Sequence, residues 1–76
     1  MKLSDALEKG KAKHWQSADI RKNPSSPTQW FVMLADKDQR HHMLVDDSEN
    51  PIVHLDLNYF TALLKRIGVR EFTVFL

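Results

Sequence analysis

The stretch Leu55-Asp56-Leu57-Asn58-Tyr59-Phe60-Thr61-Ala62-Leu63-Leu64-Lys65-Arg66-Ile67-Gly68-Val69 carries the local signals of a helix and of both its ends. Leu57, Phe60, Leu64 and Ile67, flanked by Tyr59 and Leu63, recur at the three-to-four-residue spacing that gathers apolar side chains on one helical face. Asp56 stands before them as an N-cap, because a carboxylate there accepts N–H groups that the first turn leaves without partners. Leu55 before the cap and Phe60 one turn in predict a hydrophobic staple, which fixes how the chain enters the helix. Gly68 follows the last periodic residue, where a left-handed residue ends a helix, and Val69 beyond it is placed to face Leu64.

After the helix, Val69 to Leu76 alternates as a strand, with Phe72, Val74 and Leu76 on one face and Thr73 and Phe75 on the other. Upstream, Thr28 to Ala35 is apolar on both faces, with Trp30, Val32 and Leu34 opposite Phe31, Met33 and Ala35. That pattern predicts a central strand covered on both sides. Asp36-Lys37-Asp38-Gln39 reads as a hairpin loop leading to an antiparallel strand over Arg40 to Asp46. Asp47 to Pro51 is a turn, and Ile52 to Leu55 a short extended piece. Trp15 to Lys22 is a strand of mixed alternation, ended by the loop Asn23-Pro24-Ser25-Ser26-Pro27. Ser4 as N-cap, Asp5 and Glu8 early and Lys9, Lys11 and Lys13 late predict a first helix over Ser4 to Lys13, with Gly10 as an alternative stop.

The element order α-β-β-β-α-β predicts one small α+β domain over residues 1–76, its mostly antiparallel sheet packed on one face by two helices. With 42% hydrophobic and 28% charged residues, the 76-residue chain has enough apolar content to fold but a thin margin of stability. It has no cysteine, which excludes a disulfide framework, a thiolate zinc site and thiol redox chemistry. The first residues lack an apolar signal region, and the longest unbroken apolar run is Trp30 to Ala35, so no membrane association is expected and a soluble, cytoplasmic protein is.

Four histidines raise the question of a metal. His41 and His42 are adjacent, so on a strand their rings point to opposite faces. His54 and Asp56 have a usable spacing, but Asp56 is required as a cap; no metal and no cofactor is expected. Catalysis is not expected either: there is no nucleophile elbow, no zinc-binding His-Glu-x-x-His and no glycine-rich phosphate loop. The carboxylate pairs Asp36/Asp38 and Asp46/Asp47 flank turns and are read as solvated turn residues.

The net charge of +1 is unevenly spread, with both ends basic and residues 24–56 acidic. Lys11, Lys13, Arg21 and Lys22, with Trp15 among them, form a candidate nucleic-acid contact, since single-strand binders combine phosphate contacts with an aromatic platform. Lys65 and Arg66, like Lys9 to Lys13, also complement a helix C-terminus without any partner. The α-β-β-β-α order is similar to that of the double-stranded-RNA-binding domain, whose second helix opens with a Lys-Lys-x-Ala-Lys cluster. Here that helix opens Asp56-Leu57-Asn58-Tyr59-Phe60, so the phosphate-binding residues of that family have no counterpart and the family is not assigned. The leading expectation is a non-catalytic protein-interaction or regulatory module that binds a protein partner or a second copy of itself. Phe72, Val74, Phe75 and Leu76 are its candidate interface, because a terminal strand apolar on both faces needs cover on both.

Overall fold

A hairpin of two long strands, Trp15–Asn23 (β1) and Ser26–Asp36 (β2), forms the middle of a mixed sheet in the computed structural model, which describes residues Met1–Leu76. The first helix, Leu3–Lys11 (α1), precedes the hairpin. After it come a short strand, His41–Met43 (β3), a second helix, Leu57–Ile67 (α2), and a last strand, Phe72–Phe75 (β4). The sheet order is β3-β2-β1-β4; β1 is antiparallel to β2 and β2 to β3, whereas β4 runs parallel to β1. The class and element order are those expected from the sequence.

The hairpin is tighter than the sequence suggested. Residues 23–27 are not a loop: Asn23 and Ser26 pair across a turn of only Pro24 and Ser25, and the Asn23 side chain accepts the Ser25 N–H at 3.0 Å. At the other end a bulge at Gln16 shifts the register between Trp15 and Ser17, which returns Trp15 to the face that holds Ala18 and Ile20. This is the physical source of the mixed alternation in that segment.

One face of the sheet is covered. Ala18, Ile20, Val32 and Leu34 meet Ala6 of α1 and Phe60, Leu63, Leu64 and Ile67 of α2 in a single core cluster that also takes in Trp15, Leu44 and Val69. The expectation that β2 would be covered on both faces is corrected: Val32 and Leu34 are fully buried, while Phe31, Met33 and Ala35 on the other face are half-buried and have no layer packed over them. Two helices suffice for one side of a four-stranded sheet, and the chain contains no third.

Both glycines sit where the helices cross. A Cβ on Gly10 would overlap the Ile67 carbonyl oxygen and lie 2.9 Å from its carbon, and one on Gly68 would lie 3.3 Å from the Gly10 oxygen. Gly10 is therefore required for the close approach of α1 to α2 and does not end α1. The helix ends at Lys11, and Lys13 takes the left-handed position (φ 57°), donating to the Gly10 carbonyl while His14 donates to that of Lys9. Gly68 (φ 96°) plays the same part for α2, with Val69 N–H bonded to the Leu64 carbonyl at 2.9 Å. That bond keeps Val69 out of the last strand, which starts at Phe72 rather than at residue 69.

The helix starts also differ. Asp56 caps α2 as expected, accepting the Asn58 N–H at 2.9 Å. Leu55, however, is largely exposed instead of stapled onto Phe60; His54 stacks flat on Tyr59 with ring centroids 4.3 Å apart and accepts the Asp56 N–H. α1 begins before Ser4, whose hydroxyl donates to Asp47 at 3.0 Å, because Leu3 N–H is held by the Val45 carbonyl. That bond belongs to a parallel bridge between Lys2 and Val45, which ends β3 early: the expected strand over residues 40–46 stays on β2 only through Leu44, and Val45 then turns to Lys2 and Pro51.

Candidate functional site

The most densely bonded polar group is Asp36, at the end of β2. Its side chain is 5% exposed, so it is not the solvated turn residue expected. One carboxylate oxygen, Oδ1, accepts the N–H groups of Asp38 and Arg40, both at 2.9 Å, and so closes the β2–β3 turn. The other, Oδ2, lies 3.0 Å from Nε2 of His42 and 3.7 Å from Nε2 of His14. The His42 bond, followed by those from Arg40 and Asp38, holds the Asp36 carboxyl at about 2, below its ordinary 3.8, against the opposing effect of burial. The Trp15 ring packs edge-on to both imidazoles and its indole N–H donates to the Ala6 carbonyl at 2.9 Å, tying β1 to α1.

A carboxylate touching two imidazoles resembles a catalytic arrangement, but its oxygens are directed into the hairpin and toward the rings, with no serine or threonine hydroxyl bonded to any of the three. The histidines divide as their adjacency implies: His42 turns to the helix face beside Leu34, His41 to the open face beside Ala35. No three His, Asp or Glu side chains converge in a metal-holding group.

Two other surfaces collect the exposed chemistry. The first is the outer edge of β4. Ala18 N–H donates to the Glu71 carbonyl at 3.1 Å, so by alternation Phe72 and Val74 turn their own N–H and C=O groups away from β1, toward solvent. Val74 packs against the core, whereas Phe72 and Phe75 are each 41% exposed and Leu76 is 95% exposed. Phe75 lies on the open face with the Arg21 guanidinium 4.0 Å above its ring. The opposite edge is shorter and partly occupied: the N-terminal ammonium donates to the Met43 carbonyl, and beyond β3 the chain folds back, with Ile52 N–H bonded to Leu44 and His54 paired with Trp30. Of the four candidate interface residues, Phe72, Phe75 and Leu76 are thus exposed at the β4 edge, while the Val74 side chain turns to the core.

The second surface is a groove of about 730 Å³ between the C-terminal ends of α1 and α2 and the starts of β1 and β4. Lys11, Lys13, Lys37, Lys65 and Arg70 line it with a single carboxylate, Glu71, and Phe72 forms part of its wall. The five residues proposed from sequence for nucleic acid do not form one face. Lys11 and Lys13 line this groove. Trp15 reaches it only as a wall residue, buried to 6% exposure and with its N–H engaged, so it packs instead of offering a stacking face. Arg21 is on the open face, 3.4 Å from Asp19 and over Phe75, and Lys22 lies 5.6 Å over the Trp30 ring. Lys37, Lys65 and Arg70 are not candidates from sequence: each sits in a turn, a helix end or a connection, and only the crossing of the helices and the pairing of β1 with β2 bring them beside Lys11.

An α+β chain of two helices on one face of a mixed four-stranded sheet, with an open apolar edge and a basic groove, is as far as its own geometry classifies it. In comparisons with protein-family models, curated proteins and solved structures, the chain matches none. No helix is long and apolar enough to cross a membrane.

Proposed function

We propose that this chain is a non-catalytic interaction module that pairs with a second copy of itself through β4. The observation that carries the reading is the outer edge of that strand, where unpaired main-chain groups at Phe72 and Val74 lie among the exposed side chains of Phe72, Phe75 and Leu76. An open strand edge is a template for another strand, and natural edges are blunted by charge, proline or cover. Residues 72–76 carry neither charge nor proline. Two copies meeting edge to edge in antiparallel fashion place the same residues on both sides of a two-fold axis, which closes the assembly at a dimer. An edge of four residues buries less than the roughly 1,200 Å² of standard interfaces, so a dimer of micromolar affinity is expected. The non-catalytic part rests on Asp36, whose oxygens are engaged by the hairpin and the imidazoles.

Sedimentation equilibrium from low to high micromolar concentration tests it. The weight-average mass should rise toward twice that of the chain. Val74→Pro should hold the mass at the monomer value, because the Val74 N–H faces solvent and its loss leaves the β1–β4 bonds in place; Leu76→Lys, at a side chain that is 95% exposed, should weaken association with no change in the strand. A strict monomer at high micromolar concentration sinks the proposal, and a dimer indifferent to Val74→Pro sinks the assignment to β4.

A further inference from the structure

We infer that the groove between the two helix ends binds the phosphate backbone of a single-stranded nucleic acid. Five cations from four parts of the chain face it with one carboxylate, a local surplus of four in a chain whose net charge is +1, so the remainder of the molecule is net negative. Charge sorted in this way draws a polyanion to one place on the surface. Complementing the helix dipoles explains Lys11 and Lys65 in part, since cations are favoured at helix C-termini. It does not explain Lys37, which is in the β2–β3 turn, or Arg70, in the connection to β4. Of the five, Lys11 alone has a carboxylate within ion-pair distance, Glu8 at 3.6 Å, on an exposed helical turn. Lys13, Lys37, Lys65 and Arg70 are exposed with no acidic partner.

Phe72 decides which polyanion fits. Its ring lines the groove and is 41% exposed, so a base stacked on it would lie beside cations placed for the adjoining phosphates. An acidic peptide uses that ring only where it happens to carry an aromatic residue, whereas every nucleotide brings a base. Four of the five cations are lysines, whose compact charges attract successive phosphates without requiring one fixed orientation of each. The groove's volume of about 730 Å³ is on the scale that takes a few small groups, as an unpaired strand offers. The groove meets the self-association surface at Phe72, whose ring lines the groove, while pairing between copies uses the main-chain edge of β4.

The test is fluorescence anisotropy of a labelled twelve-nucleotide oligo(dT) or oligo(U) with the full chain, read in low and moderate salt beside the sedimentation measurement. Binding should weaken as salt rises, with a log–log slope no steeper than about −3.5 for five phosphate contacts on a single strand. Lys37→Glu/Arg70→Glu should weaken binding at least tenfold with the melting temperature unchanged. Lys9→Glu/Lys22→Glu, the same charge reversal away from the groove, should change it by less than twofold. Absence of any anisotropy change at low salt overturns the inference, as does an equal loss from the two double variants. Equal affinity for a duplex of that length overturns the single-strand assignment, and displacement of the oligonucleotide by a glutamate twelve-mer at equal concentration assigns the groove to an acidic protein partner.

Discussion

Replacing glycine with alanine inside a helix ordinarily stabilises it by about 1 kcal/mol, through lower chain entropy in the unfolded state and better helix propensity. Gly10→Ala should do the reverse. Gly10 lies within α1 with its Cα against the α2 main chain, and the added methyl would overlap the Ile67 carbonyl oxygen and stand 2.9 Å from its carbon. The obstacle is backbone, which has no rotamer to yield, so the helices have to move apart. The move disturbs Ala6, Leu64 and Ile67, all buried to 1% exposure or less, and the Trp15 indole bond to the Ala6 carbonyl. Overpacking of this kind costs about 1–3 kcal/mol. With the backbone on both sides of the clash, the upper half of that range is expected, which outweighs the roughly 1 kcal/mol of propensity and leaves a net loss of about 1–2 kcal/mol. In a domain of this size that is a fall in melting temperature of about 4–16 °C. Urea unfolding followed by circular dichroism measures it, with Ala12→Gly just beyond the helix as a comparison in which no clash changes. A Gly10→Ala protein as stable as the parent, or more so, would show that the helix crossing does not depend on the missing side chain.

Two further predictions concern the turns and the buried carboxylate. Asp36 to Arg40 and Asp46 to Asn50 are the same turn built twice: the aspartate accepts from the second and fourth residues after it, and the third, Gln39 or Glu49, is left-handed at φ 65° or 67°. Gln39→Gly and Glu49→Gly should each stabilise the protein by up to about 1 kcal/mol, read as a higher urea midpoint with an unchanged slope; a loss of stability at either site contradicts the strain assigned to it. Because the Asp36 pKa is lowered in the folded state, to about 2 from 3.8, its stabilisation is full above the unfolded value and disappears as the pH falls from about 4 to about 2. Unfolding free energies measured across that interval should fall less steeply in Asp36→Asn than in the parent, and parallel curves would show that the His42 bond does not favour the ionised form.

What the sequence disclosed was whatever is decided within a few residues. The α2 cap and its glycine ending are local bonds, from Asp56 to Asn58 and from Val69 to Leu64, and both were readable from the residues involved. The ends of α1 were not, because each depends on something far along the chain or on an exception to a preference. Ser4 is drawn to Asp47, Leu3 is held by Val45, and the left-handed position after α1 is filled by Lys13 where glycine is usual. The role of Gly10, inside the expected helix or as its alternative stop, was hidden for the same reason: it is visible only against Ile67. Of the surfaces, the β4 edge was legible because four of the last five residues are apolar. The groove was half legible, with Lys11 and Lys13 in view and Lys37, Lys65 and Arg70 brought in only by the fold. Asp36 looked like any turn aspartate until the Gln16 bulge and β3 placed Trp15 and His42 around it.

The last strand has one more implication. Phe72-Thr73-Val74-Phe75-Leu76 is rich in β-branched and aromatic residues, and without charge or proline it has the composition of segments that stack into cross-β fibrils. In the folded chain β1 pairs with it and the Val74 side chain packs on the core, and the pairings join residues more than fifty positions apart. A contact so distant in sequence is slow to form, because the closure entropy of the long intervening loop has to be overcome first. Until it forms, and again in any fluctuation that detaches β4, the segment is free to template aggregation, so occupation of its outer edge would protect the molecule as well as serve its partner.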